Sequence, residues 1–323
     1  MALILPDTEA SMDRVVRSLS EGDVVALPTE TVYGLAGSIF QDDAIRTIFS
    51  VKGRPLIDPL IVHVGDFDQL DGVAIRDPRL DVLANAFWPG PLTLVMKKRP
   101  VVSDLITAGK DTVAVRMPQG LFRQVLQRLQ VPLAAPSANP FGYLSPTEAI
   151  HVERHLGNRI GLILDGGPCE RGIESTILDL TTPMPTVLRL GPVSVEALQA
   201  VLGVPVLTKT SECHGAQTAP GMLKKHYSPQ TPLTLFDDPS SLPSILTERV
   251  AVVLQQRPPS FTPETHTYWL SEQGKLEEVA QNLFALLQKI DRKYTHIFIQ
   301  QSPPSGLGLA INDRLQRAAS KTP

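Results

Sequence analysis

Cysteine is nearly missing: the 323 residues contain two, Cys169 and Cys213, far apart in the sequence. Two are too few for a disulfide framework and lack the paired spacing of a zinc site, so a reducing, cytoplasmic setting is expected. Aromatic residues make up only 5% and the net charge is −3, with a pI near 6.2. A broad basic face studded with stacking rings, as nucleic-acid backbones require, is therefore excluded, and any polyanion site must be local. No run approaches about 18 apolar residues, so no membrane span is expected. The opening MALILPDTEASMDR lacks the basic start and long apolar stretch of a signal peptide.

The common chemical signatures are absent as well. Neither GxxxxGK[ST] nor GxGxxG occurs; Gly306-Leu307-Gly308 fails because Ile311 stands where the third glycine belongs. There is no GxSxG and no catalytic cysteine signature. His151 and His155 lie one helical turn apart with Glu153 between them. HVERH is not HExxH and no third ligand is apparent, so the pair is expected on an exposed polar helix face, with no protein-bound metal.

What is plentiful is proline, 29 residues, about 9% of the chain against a usual share of roughly 5%. With 42% hydrophobic and 20% charged residues, the length supports a large core and two domains. Met12, Val15, Val16 and Leu19 recur at helical spacing over Thr8–Leu19, and Glu21-Gly22-Asp23 precedes the strand-like VVAL. Further β-rich runs fall at Leu60–Val64, Leu92–Met96, Thr112–Arg116, Leu133–Ala135, Gly161–Leu164, Ser175–Asp179 and Thr186–Leu190. Helical patterns around Ala44–Phe49, Leu80–Ala86, Leu121–Leu129 and Pro146–His155 intervene. Such alternation predicts an α/β fold, with a mixed sheet because some strands are too close for crossovers.

After Leu202 the sequence turns polar and punctuated. The pattern divides the chain into residues 1–208 as a larger α/β domain, 209–232 as a linker, and 233–323 as a smaller α/β domain. In the last, PLTLF, RVAVVLQ and HIFIQ are expected as buried strands, and Leu276–Ile290 and Ile311–Ala319 as helices.

Four segments carry polar residues where a buried strand-to-loop junction would be apolar. LPTETVYGLAG presents Thr29, Glu30, Thr31 and Tyr33 before two glycines. In VKGRPLIDPLIVHV, Lys52 and Arg54 are expected to alternate along an extended, proline-stiffened stretch as a two-cation clamp for phosphate oxygens, with Asp58 and His63 following. A solvated charge pair is the plainer alternative. VPLAAPSANPFGYLSPTEA places Ser137 and Asn139 past a buried strand, and Ser145-Pro146 resembles a helix cap whose free N–H groups can face an anion. LDGGPCERGIESTILDL turns on two glycines before Ser175 and Thr176. Between these, Thr112 and Arg116 share one strand face, and Arg189 closes a strand. Residues 1–208 hold 18 basic against 23 acidic side chains, so cations gathered at strand ends point to a local pocket for a small polyanion. Pro28, Pro55, Pro59, Pro118, Pro136, Pro140, Pro146 and Pro168 flank these segments, where fixed φ angles pre-organise binding loops.

In order, PTETVYGL, KGRP, FWPGPLTLV, TVAVRMP, PSAN, DGGP-x-x-x-G-x-EST and LRLGP resemble the YrdC-like family. PGMLKKHYSP and GLGLAINDRLQRAA are similar to its long, two-domain form, so the resemblance covers nearly the whole chain and is weakest over Asp237–Gln273. It implies a YrdC-like twisted mixed sheet with helices, joined by a long linker to a smaller Rossmann-like domain. It also implies an adenylate-forming nucleotidyltransferase that makes threonylcarbamoyl-AMP and pyrophosphate from L-threonine, bicarbonate and ATP, for threonylcarbamoyladenosine next to the tRNA anticodon. By motif position, threonine falls to Thr31, His63, Arg116, the backbone at Ala135, and Ser175. ATP falls to Lys52, Arg54, Asp58, Thr112, Ser137, Asn139, Ser145 and Arg189, with Tyr227 closing over it. Lys52 and Arg54 are the expected catalytic cations, and Mg²⁺ is expected to arrive on the triphosphate. His63 can orient substrate or accept a proton. The chain departs from the family pattern at Asp58, where Asn is common, and at Leu223-Lys224-Lys225 in the linker. A downstream threonylcarbamoyl transferase complex is the implied recipient, with tRNA contact indirect.

Two other classes compete. An RNA-binding module would shift tRNA in a salt-dependent way without ATP turnover, and the low aromatic share weighs against it. A carbamoyl transferase acting through a carbamoyl adenylate would draw on carbamoyl phosphate and show no preference for threonine.

Overall fold

The computed structural model describes residues 1–209, 227–238, 240, 242, 249–259 and 266–319. Its elements run β1 (Leu3–Leu5), α1 (Glu9–Ser20), β2 (Val25–Leu27), β3 (Gly34–Ser38), α2 (Asp42–Lys52), β4 (Ile61–His63), α3 (Phe67–Val73), α4 (Leu80–Phe87), β5 (Leu92–Lys97), α5 (Asp104–Thr107) and β6 (Thr112–Arg116). There follow α6 (Gly120–Leu129), β7 (Leu133–Ala134), α7 (Ala149–Leu156), β8 (Leu162–Leu164), β9 (Thr176–Asp179), β10 (Thr186–Arg189), α8 (Val195–Leu202) and β11 (Leu207–Thr208). The last group is β12 (Leu233–Phe236), β13 (Val250–Gln256), β14 (Thr267–Ser271), α9 (Leu276–Ile290), β15 (His296–Gln300) and α10 (Leu307–Ala319).

Among the described residues, eleven strands form one sheet in the order β1-β8-β2-β3-β7-β4-β6-β5-β9-β10-β11, and four form another in the order β12-β15-β13-β14. The large sheet is mixed, as the close spacing of its strands predicts: β4 runs parallel to β6, while β5 runs antiparallel to β6 and β7 antiparallel to β4. The small sheet is parallel throughout. Residues 210–226 of the expected linker lie outside the described residues.

Strand alternation decides what faces where. Val113 and Val115 of β6, Val62 of β4, and Leu92, Leu94 and Met96 of β5 enter the main core with Ile45, Ile48, Leu80 and Leu83. On the opposite face, α1 and α6 pack Met12, Val15, Leu19, Phe122 and Val125 over β1, β2 and β8. Over β4, β6, β5 and β9 that same face carries the small cluster Ile61, Val95, Ala114 and Ile177. It is this stretch that floors the site. The core of the small sheet extends onto Leu144 and Ile173 from the first part of the chain. Gly172 makes that seating possible: its φ is +70° and a Cβ there would lie 2.4 Å from Ala280 O in α9.

Two local expectations are corrected. The stretch from Lys52 to Arg54 is not extended: Lys52 ends α2, and Gly53, at φ +63°, caps it in the left-handed region and turns the chain before Arg54. The Ser145-Pro146 helix start is also displaced, because α7 begins at Ala149 with Glu148 at its N-cap.

Candidate functional site

Thr31, Arg54, His63, Arg116, Ala135, Ser137, Ser175, Arg189 and Tyr227 come together around one cavity of about 50 Å³, with Thr29, Ile61, Pro136 and Glu174 also in its wall. The sheet explains the convergence. The loop after β2 supplies Thr31, the end of β4 His63, the end of β6 Arg116, the segment after β7 Ala135 and Ser137, and the approach to β9 Ser175. His63 stands opposite Arg116 in the parallel pairing of β4 and β6. Arg189 reaches the cavity because the β9–β10 register shifts between Val187 and Arg189, which breaks the alternation that would keep it on the core side with Val187.

Arg116 is 4% exposed and held on three sides. It pairs with Glu30 at 2.6 Å, donates Nη1–H to Thr31 Oγ1 at 2.9 Å and donates Nε–H to Gly90 O at 3.2 Å. Glu30 also accepts the Gln119 N–H, so its carboxylate braces the guanidinium from behind. Across the strand pair, Thr93 opposes Arg116 and shares a 2.8 Å hydrogen bond with Ser175 Oγ. Arg189 donates to Ser175 twice, Nε–H to its carbonyl and Nη2–H to its hydroxyl, each at 3.0 Å. Gly191 stands against this segment so closely that a Cβ would lie 2.4 Å from Thr176 N. His63 packs on Phe122 with ring centroids 4.9 Å apart, and no hydrogen bond reaches its Nδ1 among the described residues. Burial, reinforced by Arg116, holds its pKa well below the ordinary histidine value, so the imidazole is neutral at pH 7.

The remaining expected residues stand behind this wall. Lys52 is buried and donates to Ser137 O and Asn139 O, both at 2.6 Å; burial and then Arg54 push its pKa down. It braces the Ser137-Ala138-Asn139 turn and does not itself line the cavity. Arg54 lines it, pinned by an ion pair to Asp58 at 2.9 Å and by hydrogen bonds to Asp58 O and Pro59 O. Asp58 is fully buried and serves as counter-charge to Arg54. Asn139 donates to Pro140 O and Tyr143 O, and Ser145 donates to Glu174. The Ala135 N–H is bound to Ile61 O. Thr112, half-buried, shares the face of Ala114 and Arg116 four residues from Arg116, roughly 13 Å along the strand, and lies outside the cavity lining. Tyr227 is 1% exposed; its ring packs on Phe284, and the Arg314 guanidinium lies 5.1 Å from the ring centre.

His151 and His155 correct the expectation of an exposed face. His151 is buried, with its Nδ1 accepting the Thr147 N–H, and His155 lies against Tyr143 and hydrogen-bonds Gln288 of α9. Among the described residues, no group of three or more His, Cys, Asp and Glu side chains can hold a metal ion, and no helix is long and apolar enough to cross a membrane. Glu174, Thr93 and Arg314 do not stand out in the sequence. EST and INDRLQ offered two ion-pair partners, but nothing in either stretch said that they meet.

Comparison with known proteins adds the relationship. The family model described as "Telomere recombination", which groups Sua5, YciO and YrdC, matches residues 17–191, and that described as "Threonylcarbamoyl-AMP synthase, C-terminal domain" matches residues 193–320. The threonylcarbamoyl-AMP synthase of Pyrococcus abyssi is 38% identical over 93% of this chain and 92% of its own length. That of Bacillus subtilis is 38% identical over 93% and 90%. The crystal structure of P. abyssi Sua5 complexed with L-threonine superimposes with a TM-score of 0.88 at 34% identity, covering 99% of this chain and 97% of that one. The chain belongs to the threonylcarbamoyl-AMP synthase family, in the form that carries the C-terminal domain.

Proposed function

We propose that this protein joins L-threonine, bicarbonate and ATP into threonylcarbamoyl-AMP and pyrophosphate, for threonylcarbamoyladenosine in tRNA. The observation that carries the proposal is one cavity wall holding three guanidinium groups, of Arg54, Arg116 and Arg189, around a neutral imidazole. That set suits a carboxylate at one end, a polyphosphate at the other and an uncharged amine between them.

The threonine carboxylate pairs with Arg116, its hydroxyl with Thr31, Ser175 or the Ala135 carbonyl, and its amine faces His63. The neutral amine attacks the bicarbonate carbon, and a proton leaves the nitrogen as hydroxide departs as water, giving the carbamate. His63 accepts a hydrogen bond from the amine or relays that proton to the departing hydroxide. A carbamate oxygen then attacks the α-phosphorus in line, and the bond to the β-phosphate breaks to release pyrophosphate. Arg54 and Arg189 offset the charge gathering on the phosphates, with the backbone of Ser137 and Asn139 held in place by Lys52. Asp58, Asn139 and Ser145 act on ATP through the groups they hold, and Thr112 at the far reach of β6. Mg²⁺ enters as part of the nucleotide, largely hydrated. A cavity of about 50 Å³ holds one or two waters, so ATP entry widens it, and Tyr227 closes over the bound nucleotide. The product is consumed by a threonylcarbamoyl transferase complex, with tRNA met there.

Pyrophosphate release tests the proposal: it is expected only when ATP, bicarbonate and L-threonine are all present. Release that ignores either threonine or bicarbonate would refute it.

A further inference from the structure

Arg314 is the largest fully buried side chain of the described residues, and it belongs to α10, beside the small sheet. Among the described residues, its side-chain hydrogen bonds are not with that sheet. Nε–H donates to Glu174 Oε2 at 2.7 Å and Nη2–H to Leu190 O at 2.8 Å, while Nη1–H is held by the adjacent Asp313 at 2.6 Å. Glu174 is followed by Ser175, and Leu190 is preceded by Arg189. The other Glu174 oxygen accepts from Ser145 Oγ, and the guanidinium face covers the Tyr227 ring. One planar, five-donor group thus ties together the segment before β9, the segment after β10 and the residue that walls the cavity.

We infer that Arg314 is a positioning residue for the nucleotide side of the site, through which the C-terminal domain sets the placement of Arg189 and Tyr227. The inference rests on the function proposed above. A lysine at 314 keeps the charge but has no fork to reach Glu174 and Leu190 O while covering a ring, so Arg189 and Tyr227 lose their common reference.

The test compares full-length wild type with Arg314→Lys and with the neutral double variant Glu174→Gln/Arg314→Gln, each checked for folding by circular dichroism and gel filtration. For folded Arg314→Lys, the KM for ATP is expected to rise at least tenfold, and by more than the KM for threonine. If both KM values stay at wild-type levels and kcat falls only with the folded fraction, the arginine merely glues the domains and the inference is overturned. Because either variant can fail to fold, the wild-type protein carries a second arm. Mg²⁺-ATP is expected to slow amide hydrogen exchange in Leu307–Ala319, a helix outside the cavity lining. Unchanged exchange there, with ATP bound, overturns the inference without any variant. A wild-type protein that consumes no ATP with threonine and bicarbonate would count against the function itself, which keeps the two failures apart.

Discussion

Replacing Arg116 by Gln separates what the buried Glu30–Arg116 pair does for stability from what Arg116 does for the substrate. Both side chains are 4% exposed and 2.6 Å apart. Removing the cation leaves the Glu30 carboxylate buried with, among the described residues, only the Gln119 N–H against it, a loss of about 3–5 kcal/mol for a buried pair broken on one side. In a domain of this size that corresponds to a fall in Tm of roughly 6–20 °C. The neutral double variant Glu30→Gln/Arg116→Gln carries no unpaired charge and should regain most of that loss. Neither variant can grip a carboxylate, whose charge-assisted hydrogen bonds are worth about 1.5–3 kcal/mol, so the KM for threonine should rise roughly 10- to 150-fold in both. Thermal unfolding with and without threonine, beside threonine-dependent pyrophosphate release, reads the two effects. A double variant as unstable as the single one, or a single variant with wild-type threonine KM, would refute the reasoning.

Other consequences follow from the same geometry. Lys52→Ala and Arg54→Ala should each abolish pyrophosphate release, Lys52→Ala by loosening the turn at Ser137 and Asn139; wild-type rates in either would discard the cationic arrangement. Tyr227→Ala should leave circular dichroism unchanged while the intermediate is released faster or activity falls; unchanged rate and unchanged intermediate lifetime would count against Tyr227 as a wall. Burial brings His151 down to about 4, below its unfolded value of roughly 6.5. The unfolded chain therefore binds the proton first as pH falls, and the stability present above about pH 6.5 is lost toward about pH 4, by about 3 kcal/mol. Urea unfolding at pH 7 and pH 5 measures the slope, which His151→Gln should flatten; an unaltered slope would place the effect elsewhere.

Much of this was legible in the sequence. The strands β4, β5, β6, β8, β9 and β10 declare themselves through apolar runs, and Arg116 and Arg189 read as strand-end residues and are found there. Strand β3 does not declare itself, because Gly34-Leu35-Ala36-Gly37-Ser38 carries two glycines and no β-branched residue. Strands β1 and β11 are three and two residues long, and α5 is a single turn, too short for any period to show. The site was legible as a set of residues, but its layering was not. Spacing could not tell that Lys52 turns away from the cavity onto two carbonyls, that Ser145 serves Glu174, or that a bulge re-aims Arg189. The partnership of Glu174 with Arg314 spans 140 positions, and only tertiary packing creates it.

The central claim is tested most directly by mass. The protein is incubated with Mg²⁺-ATP, ¹³C-bicarbonate and each amino acid in turn, and the products are read by mass spectrometry. Pyrophosphate is expected together with an adenylate that contains one ¹³C and one threonine, and no comparable product from other amino acids. An adenylate without the ¹³C, or equal product from amino acids unlike threonine, would contradict it.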